Sequence, residues 1–89
     1  MIARMWEVRG LPERIDELVD WVCATAVPRI EDEPGYVRSE VYASEDRVVV
    51  ISSWRDAAVD LPEAPPDLVA RPPHAWDFNL IDRHSGTGR

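Results

Sequence analysis

Few side chains in this sequence are suited to chemistry near neutral pH, and they are scattered along the chain. His74 is the strongest candidate for acid–base work. An unperturbed imidazole ionises at about pH 6.5, so modest changes of surroundings poise it for proton transfer. Pro72-Pro73 stiffen the chain just before it. A solvated histidine at a strand end is the alternative. His84 sits near the C-terminus and reads as inert. His74, His84, Asp77 and Asp82 lack the ligand spacing of a tetrahedral zinc site, so no metal is expected. Cys23 stands within an apolar helical pattern and reads as a core thiol. No serine accompanies a histidine in a nucleophile motif, and the four glycines make no phosphate-binding loop.

Binding chemistry is better represented. Trp6, Trp21, Trp54 and Trp76 are many large rings for 89 residues. Each suits a core, but Trp6, Trp54 and Trp76 fall on strands one, three and four, which are expected to be neighbours. Together they could line an apolar site for a small aromatic molecule. Arg4 could orient a phenolate or carboxylate there, or join an ion pair between subunits. The expected pocket lies between the sheet and its helical layer. Trp54 and Trp76 are its walls, Trp6 and Arg4 are further contacts, and His74 stands at its mouth.

Composition removes several function classes. The formal net charge is −7, and all ten basic residues are arginines spread along the chain. That field repels a phosphate backbone, so no nucleic-acid partner is expected. No apolar run approaches the ~20 residues that span a bilayer, and the N-terminus lacks a signal-peptide pattern. The lone cysteine forms no internal disulfide. These features together point to the cytoplasm.

The elements that must position the candidate residues follow from pattern. Residues 2–9 alternate as a strand, and Gly10 breaks it. Pro12 suits a first helical position, with Glu13, Asp16 and Glu17 at the positive end of the helix dipole. Ile15, Leu18, Val19, Val22 and Ala26 form a helical stripe, edged by Cys23 and flanked by Trp21. Pro28 predicts a stop or kink near Val27. Pro34-Gly35 then turns the chain into a hairpin over residues 36–54, with Ser44-Glu45-Asp46 as its loop. That loop pairs Tyr36 with Trp54, Val41 with Val49 and Tyr42 with Val48. It sets Tyr36, Arg38, Glu40 and Tyr42 on the same face as Val48, Val50, Ser52 and Trp54. Residues 55–60 suit one or two helical turns. The five prolines of residues 61–73 allow at most one turn more. Residues 74–81 return to strand alternation. The domain is expected to span residues 1–83, with 84–89 a flexible tail.

The order is βαββαβ, an α+β ferredoxin-like plan with a four-stranded antiparallel sheet and a reduced second helix. Strands one and three take the centre. Apolar residues on both faces of the strands, with helix enough for one face, predict a homodimer whose sheets face one another.

Pro34-Gly35-Tyr36 entering a strand, the hairpin, and then Trp54-Arg55-Asp56-Ala57-Ala58 resemble the antibiotic biosynthesis monooxygenase family of dimeric α/β barrels. The resemblance covers residues 2–81 and is sharpest over about 25 of them. It implies a dimeric α/β barrel and carries over Trp54 as a site position. The family includes cofactor-free oxygenases of polycyclic phenols, haem-degrading enzymes and members of no known function. Oxygenases of the family commonly carry a histidine on the helix after the tryptophan, where this chain reads Leu61-Pro62-Glu63-Ala64. Its haem-degrading members use a first-strand asparagine, absent from residues 2–9. Three readings remain. One is a cofactor-independent monooxygenase-like enzyme acting on a small aromatic or polyketide-type substrate, with no cofactor and with His74 as base. The second is a noncatalytic dimeric module that binds an aromatic metabolite. The third is a small interaction module with a filled core.

Overall fold

The computed structural model describes residues 1–81. His84, Asp82, the end of the expected domain and the expected 84–89 tail lie outside them. Four strands form one antiparallel sheet: β1 (Ile2–Gly10), β2 (Tyr36–Ala43), β3 (Arg47–Trp54) and β4 (Val69–Asn79). The spatial order is β2-β3-β1-β4, with β1 and β3 central as the ferredoxin-like plan requires. Helical structure covers one face of the sheet. The other face has no cover from the described residues.

The helical region begins with a 3-10 turn at Pro12–Arg14, runs through α1 (Ile15–Trp21) and ends in α2 (Val27–Glu31). Pro28 neither stops it nor breaks it. Instead a π turn, Val22–Ala26, sits just before the proline, with Val27 N–H donating to Val22 five residues back. The wider turn accommodates a residue that has no N–H of its own to give. It also advances the buried stripe. Leu18, Val22, Ala26, Val27 and Ile30 are buried, while Ile15, Val19 and Trp21 pack partly against the core. Cys23, expected inside, is exposed. It lies about 100° round the wheel from Val22, and the stripe passes to its other side.

The hairpin forms, but with its middle shifted by one residue. Its loop is two residues, Glu45-Asp46, with Ser44 N–H donating to the Arg47 carbonyl at 2.9 Å. Ala43 therefore pairs with Val48, Tyr42 with Val49 and Val41 with Val50. A bulge at Val37 restores the expected Tyr36–Trp54 pair at the base. A one-residue slip exchanges the two faces of a strand. Ser39, Val41 and Ala43 thus join Val48, Val50 and Ser52 under the helix. Arg38, Glu40 and Tyr42 move to the open side.

Residues 55–65 contain no helix, so the one or two turns expected over residues 55–60 do not form. One 3-10 turn, Pro66–Leu68, is all that stands for a second helix, as the prolines demand. Arg14 fastens it to the start of the helical region, bonding Asp67 Oδ2 at 3.0 Å and Glu17 at 2.9 Å. β4 then begins at Val69, five residues earlier than the pattern predicts, and runs through Pro72 and Pro73. Those two residues face only Val8, a bulge in the ladder to β1. An edge strand tolerates proline because one of its sides needs no amide donors.

The core lies between sheet and helix: Trp6 and Val8 of β1, Val48 and Val50 of β3, Leu18, Val22, Val27 and Leu68. Gly10 lets α1 come close, since a Cβ there would stand 2.7 Å from Leu18 Cδ2. Gly35 has φ +88°, and its carbonyl accepts from Arg55 N–H at 2.8 Å. A side chain in that left-handed conformation costs about 1–2 kcal/mol. Gly35→Ala is therefore expected to lower unfolding free energy by that amount in urea titrations, with the native fold retained.

Candidate functional site

Strand alternation divides the five candidate site residues between two faces. Arg4, Trp6 and Trp54 point to the helical side. Trp76 pairs with Met5 and His74 with Glu7, which places both rings on the open side. Their rings stack at 6.0 Å with 29° between planes. Trp54 and Trp76 therefore cannot be the two walls of one pocket. The expectation took strand adjacency as enough, but neighbouring strands share a pocket only where the register gives their side chains the same face.

Trp54 is fully buried. Its Nε1–H donates to Ser52 Oγ at 2.8 Å, and Tyr36 meets it edge-on with ring centroids 5.5 Å apart. Tyr36 O–H is bonded in turn to Ser39 Oγ at 2.7 Å. Among the described residues, no buried side-chain polar atom lacks a partner. This end of the core is a satisfied polar–aromatic cluster.

A cleft of about 230 Å³ does open on the helical side, where β1 meets β4 and the proline-rich segment crosses. Arg4, Trp6, Asp60, Leu61, Pro73, His74 and Ala75 line it. Trp6 and Ala75 form its floor as a cross-strand pair. His74 borders it from the edge strand, its ring stacked on Trp76 on the opposite side of the sheet.

Arg4 is the charged feature of the cleft, and it bridges three segments. Its Nε and Nη2 donate to the two carboxylate oxygens of Asp77 at 2.7 and 3.0 Å, a bidentate fork between paired strand residues. Its Nη1 donates to Asp60, whose side chain is 90% exposed. The hydrogen bonds to Asp77 are the main cause that raises the Arg4 pKa. Those same bonds hold the Asp77 carboxyl below the ordinary carboxylate range. A depressed folded-state pKa gives stability that is present above the unfolded value and lost as pH falls through the folded one. NMR titration should find Asp77 ionising below the usual value of about 3.9. Arg4→Gln should return it there. The effect on stability is small, because Asp77 is exposed and screened.

Asp60, Leu61, Pro73 and Asp77 join the site without having been singled out for it. Asp77 is readable once the β1–β4 register is known. Asp60 and Leu61 are not, because their place depends on how a loop without repeating structure crosses the sheet.

On the open side, Ala3, Met5, Val49, Ile51, Trp76 and Phe78 form an apolar field, with Tyr42 and Leu80 nearby. Met5, Tyr42, Trp76, Phe78 and Leu80 are exposed. Charges of both signs border it: Glu7 pairs with Arg47 at 2.9 Å, and Arg38 with Glu40 at 3.2 Å. Among the described residues, no group of three or more His, Cys, Asp or Glu is placed to hold a metal ion, and no helix is long and apolar enough to cross a membrane. No protein-family model matches the chain, and no curated protein does.

Proposed function

We propose that this chain is a homodimeric binding module of the dimeric α/β-barrel kind. Two copies close their sheets on one another, and each holds a small aromatic molecule in the cleft beside Arg4 and Trp6. The observation that carries the reading is the uncovered apolar field of the sheet. A field of exposed aromatic and aliphatic side chains on a small chain is costly in water and marks an interaction surface. A second copy fits it best. The field is bordered by both arginine and glutamate, so a two-fold related copy can set unlike charges against each other. The strand order and the Pro34-Gly35-Tyr36 and Trp54-Arg55-Asp56 resemblance to antibiotic biosynthesis monooxygenases support the same assembly.

Binding is better supported than turnover. The Arg4 charge is balanced by Asp60 and Asp77, and the His74 ring stacks on the far side of the sheet, away from the cleft floor. The cleft is also smaller than the roughly 300–1,000 Å³ of a site for a drug-sized ligand, which favours one ring over a polycycle. Phenol, titrated against the protein, should saturate and perturb the Trp6 indole signal in NMR spectra. No perturbation at saturating phenol would remove this reading. A cofactor-independent oxygenase would need a base in the cleft, whereas the His74 ring lies on the other side of the sheet. Oxygen uptake driven by a single-ring phenol such as resorcinol would restore that reading. Binding without uptake leaves the module.

A further inference from the structure

Resting on the reading of the Arg4–Trp6 cleft as a small-molecule site, we propose that its ligand is an aromatic acid whose carboxylate takes the place of Asp60 on Arg4. Two observations on the guanidinium lead there. Asp77 occupies Nε and Nη2 in a fixed bidentate fork from the paired position on β4. Among the described residues, Nη1 has only Asp60, a carboxylate on an irregular segment with its side chain 90% exposed. An exposed ion pair of this kind contributes little, so exchanging it is inexpensive, and the released Asp60 is already hydrated. A ligand carboxylate arriving as Asp60 swings aside keeps the number of carboxylates on Arg4 at two, although the complex then carries one negative charge more than the chain's net −7.

The walls set the rest of the ligand. Arg4 and Trp6 are two residues apart on one face of β1, roughly 6.8 Å from Cα to Cα. That spacing suits a carboxylate joined to a single ring, with the ring against Trp6, Leu61 and Pro73. Asp60 then acts as an internal occupant that ties residues 55–65 down when the cleft is empty and yields when an acid enters. Its selectivity is against neutral rings, which leave the Asp60–Arg4 contact in place.

Equilibrium titrations with benzoate and with benzamide, followed by tryptophan fluorescence, test this. Wild-type protein should bind benzoate a few-fold more tightly than benzamide, because benzoate exchanges an exposed charge-assisted hydrogen bond for a more enclosed one rather than adding one. Asp60→Asn should raise benzoate affinity further, by up to about fivefold, the most that an exposed ion pair can withhold, and leave benzamide unchanged. Glu63→Gln removes the same charge three residues away and should alter neither. Equal binding of the two probes, an unmoved benzoate affinity in Asp60→Asn, or an equal gain in Glu63→Gln would overturn the acid-exchange proposal and leave an aromatic cleft. Failure of both probes to bind would remove the cleft reading with it.

Discussion

Trp54→Ala is expected to lower the stability of the chain by about 3–5 kcal/mol, the range for emptying a buried tryptophan site. The ring is fully buried, and its removal also takes away the edge-on contact to Tyr36 and the donor that serves Ser52 Oγ. A domain of this size has only about 5–15 kcal/mol in hand. Urea unfolding should therefore show a large loss of midpoint, or no cooperative transition at all. Trp54→Phe keeps most of the volume but leaves the Ser52 hydroxyl without its donor, so a smaller loss of about 1–2 kcal/mol is expected. Trp76→Ala sharply contrasts with both: its ring is exposed, so unfolding of the single chain should change by less than about 0.5 kcal/mol. Equal losses at positions 54 and 76 would contradict the assignment of these rings to opposite faces.

The second large effect concerns the open side. Ile51 lies in the middle of it, paired with Met5 on one side and Glu40 on the other. In a dimer closed through these sheets, Ile51→Glu sets an unpaired carboxylate into each buried half. Burying such a group costs several kcal/mol unless it finds a partner. The dimer dissociation constant should rise at least a hundredfold, about 3 kcal/mol. The fold of the single chain should persist, because position 51 is only partly covered within it. Far-ultraviolet circular dichroism would verify that, while the mass measured in solution falls. An unchanged mass in Ile51→Glu would place any dimer contact elsewhere.

What could be read from the sequence depended on whether the controlling interaction was local. Alternation in residues 2–9 and 47–54, the Pro34-Gly35 turn and the prolines at 62, 65 and 66 each act on their own neighbourhood, and the structure follows them, whereas Pro72 and Pro73, expected in a loop, fall inside β4. With strand order they sufficed for a four-stranded sheet covered on one side. The hairpin register was not local in this sense. Ser44 has the polarity of a loop residue, but its N–H bonds the Arg47 carbonyl, and one residue's difference puts Tyr42 and Glu40 on the other face. The bulge at Val37 that conceals this slip at the Tyr36–Trp54 end leaves no mark in composition. Pro28 was likewise read by its local effect, while packing of Val27 and Ile30 against the core keeps the helical region going and the π turn absorbs the proline. The site residues divided the same way. Arg4 and Trp6 share a face by simple alternation, whereas the separation of Trp54 from Trp76 follows from pairing across three strands.

If the open sheet face meets that of a second copy, sedimentation equilibrium of the unmodified protein at micromolar concentration should show it most directly. The expected result is twice the chain mass of 10.1 kDa, moving to a single chain mass in Ile51→Glu. A single chain mass for the unmodified protein, held from micromolar to millimolar concentration, would contradict it.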